Sequence, residues 1–179
     1  GITIHDTVRG HYWMMNRVFE RFGIELDIKS DRIVLPAGQT PRIQPDAGGA
    51  VPSVDDGPWP QFPTDMMSPF LVLATQSEGT ILFFEKMFEG RMFFTDSLIS
   101  MGASIILCDP HRIVVVGPSQ LYGSKLESPD VRAGMALLIA SLAGKGTSVI
   151  GNIRQIDRGY EQVDVKLRNL GARIQRESA

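Results

Sequence analysis

Two short runs constrain this chain more than any other feature: Phe70-Leu71-Val72-Leu73-Ala74 and Met135-Ala136-Leu137-Leu138-Ile139-Ala140. Each follows a helix-start signal, and each is apolar on every side. A helix that is apolar all round is buried all round. The rest of the chain must therefore wrap these two helices, which puts helices in the centre and sheets outside.

The segments available for wrapping repeat. Three stretches begin with a glycine and a β-prone run: Gly1-Ile2-Thr3-Ile4, Gly79-Thr80-Ile81-Leu82 and Gly146-Thr147-Ser148-Val149. Each continues through an amphipathic helix to a second glycine. The helix ends read Phe19-x-x-Phe22-Gly23-Ile24-x-Leu26, Leu98-x-x-Met101-Gly102-Ala103-x-Ile105 and Leu167-x-x-Leu170-Gly171-Ala172-x-Ile174. The apolar pair three residues apart supplies a buried face, and the glycine suits a left-handed position after a helix. The alternation that follows is a strand signature. Two copies add a further strand, Arg32–Leu35 and Arg112–Val116. The complete unit is strand, buried helix, strand, amphipathic helix, strand, strand, and the fold class is α/β with three incomplete repeats. Copy one lacks its buried helix and copy three its last strand, so the expectation is a piece of a longer parent chain.

Residues 36–63 differ from the repeats. They hold seven of the eleven prolines and the Gly48-Gly49 pair, and read as an irregular surface loop with short extended pieces. Eighteen Lys and Arg stand against twenty Asp and Glu, for a net charge of −2. That balance argues against a general nucleic-acid or anionic-membrane partner, both of which favour clustered positive charge. The single cysteine, Cys108, forms no internal disulfide and no multi-cysteine zinc site. With no apolar run near the roughly 18 residues a spanning helix needs, a cytoplasmic home is expected.

Four clusters sit where strands or loops feed helices. Phe62-Pro63-Thr64-Asp65 opens the first buried helix, where Asp65 is either a capping carboxylate or a general base. Ser128-Pro129-Asp130-Val131-Arg132 lies at the matching point of the next repeat, with Ser128 expected as N-cap and Pro129 as first helical residue. Phe88-Glu89-Gly90-Arg91 and Ile156-Asp157-Arg158-Gly159-Tyr160-Glu161 read as starts of the amphipathic helices, echoed by Arg9-Gly10. An arginine in a first turn opposes the helix dipole. Either the adjacent Glu89, Asp130 and Asp157 pair with these arginines, or each site turns a guanidinium and free N–H groups toward an anion. His5, His11 and His111 have no metal-ligand spacing, and Cys108 reads as a small buried hydrophobe.

Taken in order, Phe62–Met66, Glu78-Gly79-Thr80, Phe88–Met92, Met101-Gly102-Ala103, Asp130–Ala133, Ile156–Glu161 and Leu167–Ala172 resemble the enolpyruvyl transferases, closely from Trp59 to Arg176. The Asp157–Glu161 run favours the branch acting on UDP-N-acetylglucosamine over the one acting on shikimate 3-phosphate. The resemblance implies an inside-out α/β barrel of βαβαββ repeats. Residues 1–179 would be one domain, most of the C-terminal catalytic domain of a two-domain parent, facing the N-terminal domain across a cleft. It implies transfer of the enolpyruvyl group of phosphoenolpyruvate to the sugar 3′-hydroxyl through a tetrahedral ketal, with no cofactor or metal.

The same resemblance assigns the residues. Asp65 is the candidate base, with Arg132 and Arg158 on the phosphoenolpyruvate side. Asp65, Met87, Phe88, Glu89, Arg91 and Asp130 are the substrate-binding candidates. Gly90 stands where the family usually has Asn. The family's early lysine, its proton-donor cysteine and a neighbouring arginine have no counterpart here and would belong to the other domain. The isolated chain is expected to turn nothing over. Another acceptor, or binding of a sugar nucleotide or anion without turnover, remains the alternative.

Overall fold

A computed structural model describes residues 1–177. The first unit comprises β1 (Ile2–His5), α1 (Trp13–Arg21), β2 (Asp27–Ile28) and β3 (Arg32–Leu35), in an antiparallel sheet of order β1-β3-β2. The second is the fullest: β4 (Ser53–Asp55), α2 (Met67–Thr75), β5 (Gly79–Phe84), α3 (Thr95–Ser100), β6 (Ser104–Leu107) and β7 (Arg112–Gly117). Its sheet runs β4-β5-β7-β6, with β4 parallel to β5 and β7 antiparallel to both β5 and β6. The third unit has β8 (Lys125–Glu127), α4 (Val131–Ala143) and β9 (Val149–Gly151), with β8 and β9 parallel, then α5 (Arg154–Asp157) and α6 (Val163–Asn169).

The three sheets are portions of one pattern. In unit one, β1, β3 and β2 take the places of β5, β7 and β6; in unit three, β8 and β9 take those of β4 and β5. The parallel pairs are joined through α2 and α4, as parallel strands require a crossover. The helices α2 and α4 pack on each other in the middle. Met67, Leu71, Ala74, Ala136, Leu137 and Ala140 are fully buried between them and the sheets. Phe70 of α2 meets Phe62 edge-on at 5.1 Å and Phe19 at 4.7 Å, which ties α1 and the approach to α2 to one core.

The glycine-ended helices close alike. Gly23, Gly102 and Gly171 have φ of 65°, 109° and 97°. The N–H of the next residue reaches back five positions in each case: Ile24 to Phe19, Ala103 to Leu98, Ala172 to Leu167, at 2.9–3.0 Å. Each glycine N–H bonds three back at 2.9 Å. This is the doubled Schellman closure, with its apolar contact supplied by the two end residues.

The structure alters three expectations. The Pro/Gly-rich segment carries β4, the first strand of unit two, hidden because three residues between Pro52 and Asp56 show no period. The last amphipathic helix is broken into α5 and α6, with Gln162 at φ 49° and Gly159 pressed against Val131. Cys108 is exposed rather than buried, since it lies just beyond β6, the sheet-edge strand, at the turn into β7.

Candidate active site at the starts of the two central helices

Both central helices begin at the same end of the domain, and their first turns differ. At α4, Asp130 is the N-cap: its backbone is extended and its Oδ1 accepts from the N–H groups of Arg132 at 2.7 Å and Ala133 at 3.0 Å. Ser128, expected as the cap, instead donates its hydroxyl to the Asp130 carbonyl at 3.1 Å. Its Oγ lies where a Cβ on Gly134 would fall, so close packing under the helix decides its role.

At α2 no side chain caps the start. A 3₁₀ turn, Thr64–Met66, leads into the helix, and Pro69 sits in its first turn, where the missing N–H costs nothing. Asp65 caps nothing and turns sideways. Its Oδ1 accepts from Arg132 Nε and lies 3.7 Å from Arg91 Nη1. Its side chain is 58% exposed, and both contacts use the one oxygen. Pairing with Asp65 holds the Arg132 guanidinium more firmly in its charged form.

Arg91 is the better buried of the two cations, with 15% of its side chain exposed. Its Nη1 donates to the Thr64 hydroxyl, and its guanidinium lies 4.0 Å over the Phe88 ring. Gly90, just before it, has φ 74° and ψ −1°. That left-handed position is open to glycine and, among other residues, chiefly to Asn or Asp, so Gly here and Asn in the family fill one conformational need. Met87, Phe88 and Glu89 are exposed on the turn after β5.

The acids adjacent in sequence do not pair with these arginines. Asp130 is occupied as a cap, and Glu89 forms no ion pair with Arg91 among the described residues. Asp157 takes a bidentate bond from Arg176, at 2.6 and 2.9 Å, while Arg176 also donates to Asp164 at 2.9 Å. Arg176 thereby holds both carboxyls below the usual carboxylate range. Arg158, expected at a helix start, stands at the C-terminal end of α5, where a cation complements the dipole. Its Nη1 donates to Gln155 at 3.1 Å. The contact of Gly159 with Val131 places this segment against the first turn of α4.

Asp65, Arg91 and Arg132 are thus brought together, with Phe88 beside them and Asp130 and the Arg158 segment at the adjoining helix start. Thr64, Glu85 and Asp56 were not singled out from the sequence. Glu85 Oε1 accepts from Met87 N and Phe88 N, both at 3.0 Å, and its Oε2 accepts from the Thr64 hydroxyl at 2.8 Å. One signal was available: Glu85, the residue after β5, continues the buried alternation of Ile81 and Phe83.

A separate groove of about 720 Å³ lies between α1 and β4 and contains none of Asp65, Arg91, Arg132 or Arg158. Its Arg21 and Lys86 are paired to Asp46 and Asp55. No three His, Cys, Asp or Glu side chains gather to hold a metal ion among the described residues. No helix there is long and apolar enough to cross a membrane.

Helices inside, sheets outside and a βαβαββ repeat define the class, and the sequence agrees with it. The family described as EPSP synthase (3-phosphoshikimate 1-carboxyvinyltransferase) matches residues 1–167, and the chain belongs to that family. The enolpyruvyl transferase NikO from Streptomyces tendae superposes with a TM-score of 0.78 at 25% identity, over 91% of this chain and 36% of that one. EPSP synthase from Acinetobacter baumannii, at 14% identity and a TM-score of 0.65, covers 90% and 36% and shares the inside-out α/β barrel.

Within the family, the chain is similar to proteins named UDP-N-acetylglucosamine 1-carboxyvinyltransferase. It is 56% identical to that of Bradyrhizobium diazoefficiens over 88% of this chain and 37% of the relative. Against that of Treponema pallidum it is 52% identical, over 98% and 41%. The chain therefore spans about two fifths of the length of the curated relatives it matches.

Proposed function

We propose that residues 1–179 are most of the C-terminal catalytic domain of an enolpyruvyl transferase acting on UDP-N-acetylglucosamine, a cytoplasmic enzyme of peptidoglycan synthesis. The observation that carries this reading is the convergence of Asp65 with Arg132 and Arg91 at the helix starts, in a chain half identical to relatives of that name.

In this reading the sugar 3′-hydroxyl gives its proton to Asp65 as its oxygen bonds to C2 of phosphoenolpyruvate, while C3 gains a proton from the other domain. Loss of a C3 proton and of phosphate from the ketal then restores the double bond. Arg132 and Arg158 offset the phosphate and carboxylate charge as it builds up. Arg91 and Phe88 form the floor beneath Asp65, Met87 and Glu89 face the sugar nucleotide, and Asp130 fixes the turn from which Arg132 projects.

Phosphate release by the full-length protein, with phosphoenolpyruvate and either UDP-N-acetylglucosamine or shikimate 3-phosphate, tests the reading. Release with the first acceptor alone is expected. Release with shikimate 3-phosphate alone selects the other acceptor that the family description names. Release with neither overturns the enzyme reading in favour of a binding role.

A further inference from the structure

Directly behind this site lies a pair of acids that no cation among the described residues balances. Asp56 and Glu85 are both completely buried, and the Asp56 N–H donates to the carbonyl of Phe84, the residue before Glu85, at 3.4 Å. Asp56 Oδ1 accepts from Lys86 N at 2.6 Å, whereas Oδ2 is sealed from solvent with no ordinary donor. Glu85 accepts from three donors, the amides of Met87 and Phe88 and the Thr64 hydroxyl.

The charged groups around the pair are engaged elsewhere. The Lys86 ammonium is on Asp55, and the Arg112 guanidinium is on Asp109. Arg91 reaches Glu85 only through Thr64, and the exposed Asp65 faces Arg132 and Arg91. The His111 ring contacts the Glu85 carbonyl oxygen at 2.8 Å, leaving the carboxyl to Asp56.

Two adjacent buried carboxylates repel one another, and an orphaned buried acceptor is costly. One proton between them removes both penalties. We propose that Asp56 and Glu85 hold a single shared proton at neutral pH and act as the positioning pair of the site. Through Glu85 they fix the Met87–Phe88 turn and, by way of Thr64, the guanidinium of Arg91. The positioning role rests on the reading of that face as the sugar-nucleotide side; the shared proton does not. In support, burial and then the Asp56 carboxyl push Glu85 above the ordinary carboxylate range, against the opposing pull of Thr64 and the Met87 amide.

The two members are not equivalent. In Asp56→Asn the amide oxygen still accepts from Lys86 and the amide nitrogen replaces the shared proton with a permanent donor. In Glu85→Gln an amide nitrogen can be placed against Thr64, whose hydroxyl must turn, unsettling Arg91.

Infrared spectroscopy of the wild-type protein at neutral pH should show the carbonyl stretch of a protonated carboxylic acid, lost in Asp56→Asn. A wild type without that band overturns the shared proton, whatever the variants do. Unfolding gives a second readout. A carboxyl whose folded value is raised contributes stability that is full below its ordinary value and lost as pH rises through the raised one. The wild-type midpoint should therefore fall as pH rises through that window, and Asp56→Asn should flatten the fall; an undiminished fall overturns the pair.

In the full-length protein, Glu85→Gln should raise KM for UDP-N-acetylglucosamine about tenfold more than Asp56→Asn, the worth of roughly one hydrogen bond to a charged group. Equal changes overturn the positioning role. Loss of turnover with every acceptor in the wild type removes the reaction reading instead, and the infrared and unfolding results still decide the proton.

Discussion

An acid stands just before each of α2 and α4, and the two acids do opposite things. Asp130 folds inward and satisfies two backbone N–H groups. Asp65 leaves its own helix uncapped and reaches across to Arg132 of the other. Matching points of two repeats have thus diverged: one carboxylate builds the helix and the other stays exposed beside two arginines. A residue's distance from a helix start does not reveal which role it has; the presence of a cation across the gap does.

The comparison breaks first at Asp65. Asp65→Ala should lower the rate of phosphate release by about 10²- to 10⁴-fold, the range of a lost general base, while costing less than about 1 kcal/mol of stability, since the ion pair is exposed. Undiminished release removes Asp65 from that role. Next, Gly134→Ala should destabilise by about 1–3 kcal/mol through overpacking, because the added carbon meets Ser128 Oγ and Ile156; denaturant unfolding measures it.

Asp130→Ala should cost about 0.5–2 kcal/mol, seen as a midpoint lower by about 2–4 °C per kcal/mol in a chain of this size. Its stability loss should exceed that of Asp65→Ala, and the reverse order would dissolve the distinction between the two helix starts. The smallest effect belongs to Arg176→Ala. Because Arg176 lowers the Asp157 and Asp164 values, its contribution is present above the ordinary Asp range and lost as pH falls through the folded values. The difference between wild-type and variant midpoints should therefore shrink toward acid, and a gap independent of pH would detach Arg176 from those acids.

The repeat was legible because its signals are local. Three helix ends with an apolar pair, a glycine and a resumed strand recur at nearly the same spacing, and all three closures formed in the same way. The two runs without a polar face located the centre. Strand β4 was not legible, because its order comes from pairing with β5 rather than from its own three residues. Asp65, Arg91 and Arg132 could each be named, but not their meeting, which joins side chains far apart in the chain. Nor could Arg176 be foreseen as the partner of Asp157, since the adjacent Arg158 was the nearer candidate in sequence. Glu85 follows β5 in step with the buried Ile81 and Phe83, and that alternation was the signal of its burial.

Because most of α2 and one face of α4 are buried, the helix starts that hold Asp65 and Arg132 share the stiffness of the close-packed interior. Sliding either helix to suit a differently shaped ligand would mean repacking the core on several sides at once. The two helix starts are thus held in place from behind, whereas the Met87–Glu89 turn is exposed. On that turn the exposed side chains of Met87 and Glu89 can change with little effect on what lies beneath, whereas Phe88 is tied to the site through the Arg91 guanidinium against its ring.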